Sequence, residues 1–318
     1  MKKRNTIFVL NDFTFRYLIV VLCLVVVLCG CSGRQNNASS GKLQVLTTTG
    51  MIADAVHNIA QDRVTVQALM GPGVDPHLYK ATHGDLEKIT SADIIFYNGL
   101  HLEGKMGEVF RKVSRTRPVI AVTSRIDEKL LRDIPGFEGT HDPHVWFDVQ
   151  LWQQAVKTVS ETLIQHDSIN TEFYRENTTR YLNQLDSLHE AVKAAIQAIP
   201  QQQRVLITAH DAFGYFGDAY QIEVRGLQGI STVSEFGLKD VTELVNFIIA
   251  RKIKAIFVET SVSHKSIEAV LEGCRQKGWD INIGGSLFSD AMGESGTDAG
   301  DYIGMVNANV QTITTALK

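Results

Sequence analysis

The chain has 318 residues, 44% hydrophobic and 21% charged, the balance of a globular protein long enough for two domains of ordinary size. A formal net charge of -4 with no long run of one sign excludes the basic groove of a nucleic-acid binder and gives no reason to expect an acidic membrane-surface partner. With cysteines only at 23, 29, 31 and 274, three of them in or at the end of an N-terminal leader, neither a disulfide framework nor a cysteine-rich zinc site is expected in the mature chain.

In the leader, Lys2, Lys3, Arg4 and Arg16 precede an apolar run from Tyr17 to Leu28, which ends in Leu28-Cys29-Gly30-Cys31. This is the pattern of a secretory signal, since about a dozen apolar residues fall short of the ~20 that span a bilayer. The small residue before Cys31 resembles the bacterial lipobox. That resemblance implies cleavage before Cys31 and diacylglycerol on its sulfur, which tethers the body outside the cytoplasm, in a periplasm or on the outer face of the cytoplasmic membrane. Residues 1–30 are read as signal peptide and 31–41, polar and nearly without large apolar side chains, as a flexible tether. Folding is expected from Lys42.

From there strands and helices alternate. Leu43 to Thr49, Val64 to Met70, Ala92 to Tyr97 and Val119 to Thr123 read as strands, with helices at Met51 to Gln61, Thr82 to Ser91 and within Leu102 to Val113. Thr82 with Asp85 suits a capping box for the second of these helices. The alternation predicts a parallel sheet with helices on its faces. A helix over Val149 to His166 then leads to the longest periodic segment, in which Tyr174, Thr178, Tyr181, Leu185, Leu188, Val192, Ala195 and Ile199 form one stripe before Pro200. We read it as a rigid strut of ~40 Å between two lobes, with His189 on its polar side. Strands at Val205 to Ala209, Glu223 to Leu227, Ala255 to Thr260 and Asp280 to Ile283 follow, alternating with helices at Ala212 to Tyr220, Leu238 to Lys252 and Lys265 to Lys277. Cys274 falls in the last of these as a core residue. A helix over Asp301 to Leu317 closes the chain. The expected division is 42–170 for an N-terminal lobe, 171–200 for the linking helix and 201–318 for a C-terminal lobe.

Ligands in such a protein belong at the carboxyl ends of strands, where side chains converge in a crevice. His77 follows the strand ending at Met70, in a loop from Gly71 to Tyr79 that Pro72 and Pro76 stiffen. His210 directly follows a strand, and Asp290 follows the apolar run ending at Phe288. His144 shares the Asp-Pro-His setting of His77. Imidazole and carboxylate suit zinc, manganese or iron, while the lack of thiolate argues against copper(I). Asp75, Asp142 and Asp211 lie near the three histidines as candidates to orient them.

Gly-Val-Asp-Pro-His-Leu-Tyr at 73–79, His-Asp-Pro-His-Val-Trp at 141–146, Ala-His-Asp-Ala-Phe-Gly-Tyr-Phe at 209–216 and Leu-Phe-Ser-Asp-Ala-Met-Gly at 287–293 resemble the ligand motifs of one family. These are the solute-binding lipoproteins of bacterial ATP-driven zinc and manganese importers, and the resemblance runs from about Lys42 to the C-terminus. It implies an α/β fold of two lobes, each a four-stranded parallel sheet flanked by helices, joined by one long rigid helix. It also implies a metal set of His77, His144, His210 and Asp290, a transported Zn2+ or Mn2+, a membrane permease and ATPase as partners, and a monomer that performs no catalysis. Histidine at 210 resembles the treponemal and zinc-type receptors more than those bearing glutamate there. Many zinc receptors carry a long His- and Asp-rich loop before the second motif, and Gly136 to Thr140 leaves no room for one, so the choice of ion stays open.

His141, three residues before His144, is an alternative ligand. His83 and His101 read as surface or cleft-rim residues, and His57, His166, His189 and His264 as ordinary helix or loop positions. Arg225 is read either as a buried partner of Asp75 or as one half of a surface ion pair, and Gly226, Gly284 and Gly285 as points where backbone approaches the ligand loops. Two other functions fit such a composition. An extracytoplasmic zinc hydrolase would use Glu235 or Glu259 as general base, although no His-Glu-x-x-His run is present; the other is an adhesin-type surface lipoprotein.

Overall fold

Short β-branched runs separated by amphipathic stretches form β1 (Leu43–Thr47), α1 (Gly50–Ala60), β2 (Val64–Ala68), α2 (His83–Ser91), β3 (Ile94–Tyr97), α3 (Gly107–Val113) and β4 (Val119–Ala121) in a computed structural model that describes residues 41–318. The expected signal peptide, nearly all of the expected tether and Cys31 lie outside the described residues. The four strands make one parallel sheet in the order β2-β1-β3-β4, so β1 is an interior strand hydrogen-bonded to β2 on one side and β3 on the other. The capping box at α2 is present: Asp85 N donates to Thr82 Oγ1 at 3.3 Å and Thr82 N to Asp85 Oδ2 at 2.9 Å.

A two-stranded antiparallel hairpin follows, β5 (Asp133–Ile134) and β6 (Phe137–His141). Then come α4 (Val149–His166), capped by Asp148, and α5 (Thr171–Gln197), the linking helix of 27 residues. Its buried face carries the expected stripe from Tyr174 to Val192, then continues with Ile196 in place of the half-buried Ala195, and Ile199, though buried, lies past the helix end at Gln197. His189 departs from expectation. It is only 7% exposed, because at four residues beyond Leu185 it falls on the packed face, where Tyr220 Oη lies 3.3 Å from its Nδ1.

The second lobe comprises β7 (Val205–His210), α6 (Gly214–Tyr220), β8 (Glu223–Gln228), α7 (Leu238–Arg251), β9 (Ala255–Glu259), α8 (Lys265–Gln276), β10 (Asn282–Leu287) and α9 (Tyr302–Leu317). Where one four-stranded sheet was expected, its strands are hydrogen-bonded as two parallel pairs, β7 with β8 and β9 with β10, with β7 lying beside β9. Strand β10 reaches past Gly284 and Gly285 instead of stopping at Ile283. Those glycines admit α9 rather than the ligand loops: a Cβ would meet Thr312 Cγ2 at 2.5 Å from Gly285 and Ala316 Cβ at 2.8 Å from Gly284.

One apolar cluster runs from α1 through α4 and α5 to α6 and α9, so the lobes share a core. Smaller clusters fill the outer faces, around Met70, Ile89 and Phe110 in the first lobe and around Ile248, Ile256 and Cys274 in the second. Each fully buried aliphatic side chain contributes roughly 1.5–3 kcal/mol, and the shared cluster makes Leu43–Lys318 a single compact unit. Among the described residues no helix is long and apolar enough to cross a membrane.

Candidate metal centre

Each lobe delivers two side chains to one point, from the carboxyl ends of its strands or the loops that follow. His77 stands on the loop after β2, where Gly73 takes φ +69° and Asp75 Oδ1 accepts the His77 N–H at 2.8 Å. The second Asp-Pro-His repeats this turn, with His144 N donating to Asp142 Oδ1 at 3.0 Å. Next to it Val145, Trp146 and Phe147 are all buried, and Trp146 Nε1 donates to Ser289 O at 3.0 Å, which ties the His144 turn to the loop bearing Asp290. His210 ends β7, all of whose residues are buried. Gly226 on β8 permits that placement, since a Cβ there would stand 2.5 Å from Asp211 N and 2.7 Å from His210 C.

His77, His144, His210 and Asp290 are 3%, 0%, 0% and 1% exposed, and each offers a ligand atom within 4.8 Å of the others. His77 Nε2 lies 3.3 Å from His144 Nε2, while Asp290 Oδ1 is 3.5 Å from His144 Nε2 and Asp290 Oδ2 is 3.4 Å from His210 Nε2. Four ligands around a zinc-sized ion at ~2.05 Å are separated by ~3.3 Å along the edges of a tetrahedron. Three of the separations already sit near that edge, so this donor set could hold a divalent ion with small adjustments. His210 Nε2 and Asp290 Oδ1 have no hydrogen-bond partner among the described residues, a costly state for buried polar atoms unless an ion engages them.

The outer ring nitrogens of His144 and His210 face carboxylates. Asp142 Oδ1 is 2.7 Å from His144 Nδ1, and Glu259 Oε2 is 2.5 Å from His210 Nδ1. Glu259 Oε1 also accepts the His210 N–H at 2.8 Å. Sequence reasoning nominated Asp211 for His210 and missed Glu259 in this role. A carboxylate closing the apolar strand Ala-Ile-Phe-Val-Glu was the available signal, because a buried charge demands a partner. Asp75 orients the His77 backbone rather than its ring, and its Oδ2 accepts from Thr232 Oγ1 at 2.6 Å.

These contacts divide the imidazoles electrically. Burial, with the neighbouring His144 and His210, pushes His77 down to about 3, so it presents a free lone pair. Burial also works against charge on His144, but Asp142 and Asp290 outweigh it and hold the ring up at about 9. His210 is likewise raised against its burial, by Glu259 and Asp290. Asp290, despite burial, is held well below the usual carboxylate range by His210, His144 and His77.

The remaining nominated residues lie apart. His141 is occupied by Asp133, 3.1 Å from its Nδ1, and by Glu128, 3.4 Å from its Nε2. His57, His83, His101, His166 and His264 are exposed. Arg225 takes its surface reading, pairing with Glu223 at 3.2 Å and lying over the Phe247 ring. Glu235 is exposed, and Glu259 is engaged with His210.

The fold and this cluster define a two-lobed α/β protein with a buried nitrogen and oxygen donor set between its lobes. Residues 45–316 match the family described as zinc-uptake complex component A, periplasmic. The chain is 51% identical over 285 residues to the zinc-binding protein TroA of Treponema pallidum, covering 90% of this chain and 92% of that protein. It is 48% identical over 300 residues to the manganese-binding lipoprotein MntA of Bacillus subtilis, covering 94% and 97%. The solved structure of the periplasmic zinc-binding protein TroA from Treponema pallidum superimposes with a TM-score of 0.85 at 52% identity, over 87% of this chain and 99% of that one. The chain belongs to the periplasmic zinc-uptake component A family.

Proposed function

We propose that this protein is the extracytoplasmic receptor of an ATP-driven importer, capturing Zn2+ or Mn2+ at His77, His144, His210 and Asp290 and passing it to a membrane permease and its ATPase. The carrying observation is the convergence of four buried donors from both lobes within 4.8 Å of one another. The names of two similar proteins, one zinc-binding and one manganese-binding, support the same ions here. In this reading 42–170 and 201–318 are the metal-binding lobes, 171–200 links them, and a monomer is anchored through acylated Cys31 after loss of residues 1–30.

Neutral donors and ionised Asp290 meet the ion directly. Binding exchanges imidazole protons for the dication, with Asp142 and Glu259 facing the outer nitrogens of His144 and His210. Titration with Zn2+ and with Mn2+ tests the site. His77→Ala and His210→Ala should each weaken binding at least about a hundredfold; wild-type affinity in both variants would remove the assignment.

A further inference from the structure

Thr232 is half-buried on the segment that follows β8, on the second lobe, yet its hydroxyl donates to a first-lobe carboxylate, Asp75 Oδ2, at 2.6 Å. Both ends of that bond are fixed. On one side Asp75 Oδ1 accepts the His77 N–H at 2.8 Å. On the other, Gln228 Nε2 donates to Thr232 O at 2.8 Å and to Ser234 O at 2.5 Å, and Ser234 N donates to Ser231 O at 3.0 Å. Gln228 is itself the register partner of His210 in the β7–β8 ladder, and its carbonyl accepts Asp211 N at 3.1 Å. A series of hydrogen bonds and the residues they join thus runs from Asp211 N, next to His210, through Gln228, Thr232 and Asp75, to the backbone of His77. It passes around the ion site rather than through it and joins one proposed ligand from each lobe.

We infer that Thr232 is a positioning residue that locks His77 in register with His210 and sets how long a captured ion stays. The inference rests on the proposed metal site. For an ion to leave, His77 must draw away from the second-lobe donors, and a charge-assisted hydrogen bond across the cleft opposes that separation. Capture is affected less, because Pro72 and Pro76 already limit the freedom of the His77 loop before the ion arrives. The contact should therefore act on dissociation and leave association nearly unchanged.

The test uses the full chain in detergent, loaded with Zn2+, with dissociation followed by stopped-flow transfer to a chromophoric chelator and association followed separately. Thr232→Val keeps the side-chain shape and removes the donor; it should release zinc about tenfold faster, with association within about twofold of wild type. Thr232→Ser restores the hydroxyl and should recover wild-type release. Gln228→Ala, which frees the Thr232 backbone, should also speed release. Wild-type dissociation in Thr232→Val would overturn the inference. So would equal changes in both rates with a lowered metal-free Tm, which would mark a merely structural role. If Thr232→Val leaves release unchanged while His77→Ala abolishes binding, the metal site stands and only the lock fails; if wild type binds no zinc, both fail.

Discussion

Raised pKa values at His144 and His210 set opposite pH dependences for the two states of the protein. Protonated His144 is stabilised by the folded state, so its contribution is fully present below pH 6.5 and is lost as pH rises through about 9. Metal binding must displace that proton and compete with the raised affinity of His210 for its own, so metal affinity rises with pH and falls as the medium acidifies. Metal-free Tm should therefore drop from pH 6.5 to 9 while zinc affinity climbs, and calorimetry in buffers of different ionisation enthalpy should record proton release near neutrality. Glu259→Gln should weaken binding by about ten- to a hundredfold, because it removes the charge facing His210 Nδ1; isothermal titration checks this. At this scale the Asp-Pro-His repeats were readable because Asp, Pro and His act within three residues of one another. Glu259 was not, since it reaches His210 only through the adjacency of β7 and β9, across 49 residues of sequence.

Two elements hold their neighbouring ligands by local chemistry. Asp85 caps α2 and also accepts from Tyr79 Oη at 2.7 Å, so one carboxylate fastens the end of the His77 loop to the start of a helix. Although burial alone would raise it, bonds from Thr82 and Tyr79 hold Asp85 well below the usual carboxylate range. Its stabilisation is present above pH 3.8 and is lost as pH falls further. Asp85→Asn should cost about 1–2 kcal/mol in urea unfolding at neutral pH. Gly226→Ala should cost more than about 2 kcal/mol and depress zinc binding, because the new Cβ meets backbone at His210 and Asp211, which has little room to yield; urea melts and titration of the same sample separate the two effects. The α2 cap was readable because its residues are three apart. The β5–β6 hairpin was not: Asp133–Ile134 and Phe137–His141 are short, polar and interrupted by Gly139, with no apolar alternation to mark a strand. Strand β10 was cut short for a related reason, since Gly284 and Gly285 read locally as a break but serve contact with α9.

Over the whole molecule, alternating strands and helices and the uninterrupted stripe of α5 were enough to foretell two parallel-stranded lobes on a long connector. The shared core was not foretold, because it joins α1, α4, α5, α6 and α9 across the full length of the chain. A common apolar cluster favours small lobe displacements over wide opening. Small-angle scattering of metal-free and zinc-loaded protein should give nearly superimposable profiles; a clear increase in radius of gyration on metal removal would contradict it. Saturating zinc should raise Tm by mass action, by about 4 kcal/mol of stability at a thousandfold excess over Kd. Cys274, fully buried on α8 within the second-lobe cluster, gives the molecule a built-in clock. A thiol reagent can reach it only when α8 lifts from its sheet, so its labelling rate counts the openings of that lobe, and bound metal should slow the count only if the ion holds the lobe's interior together as well as its rim.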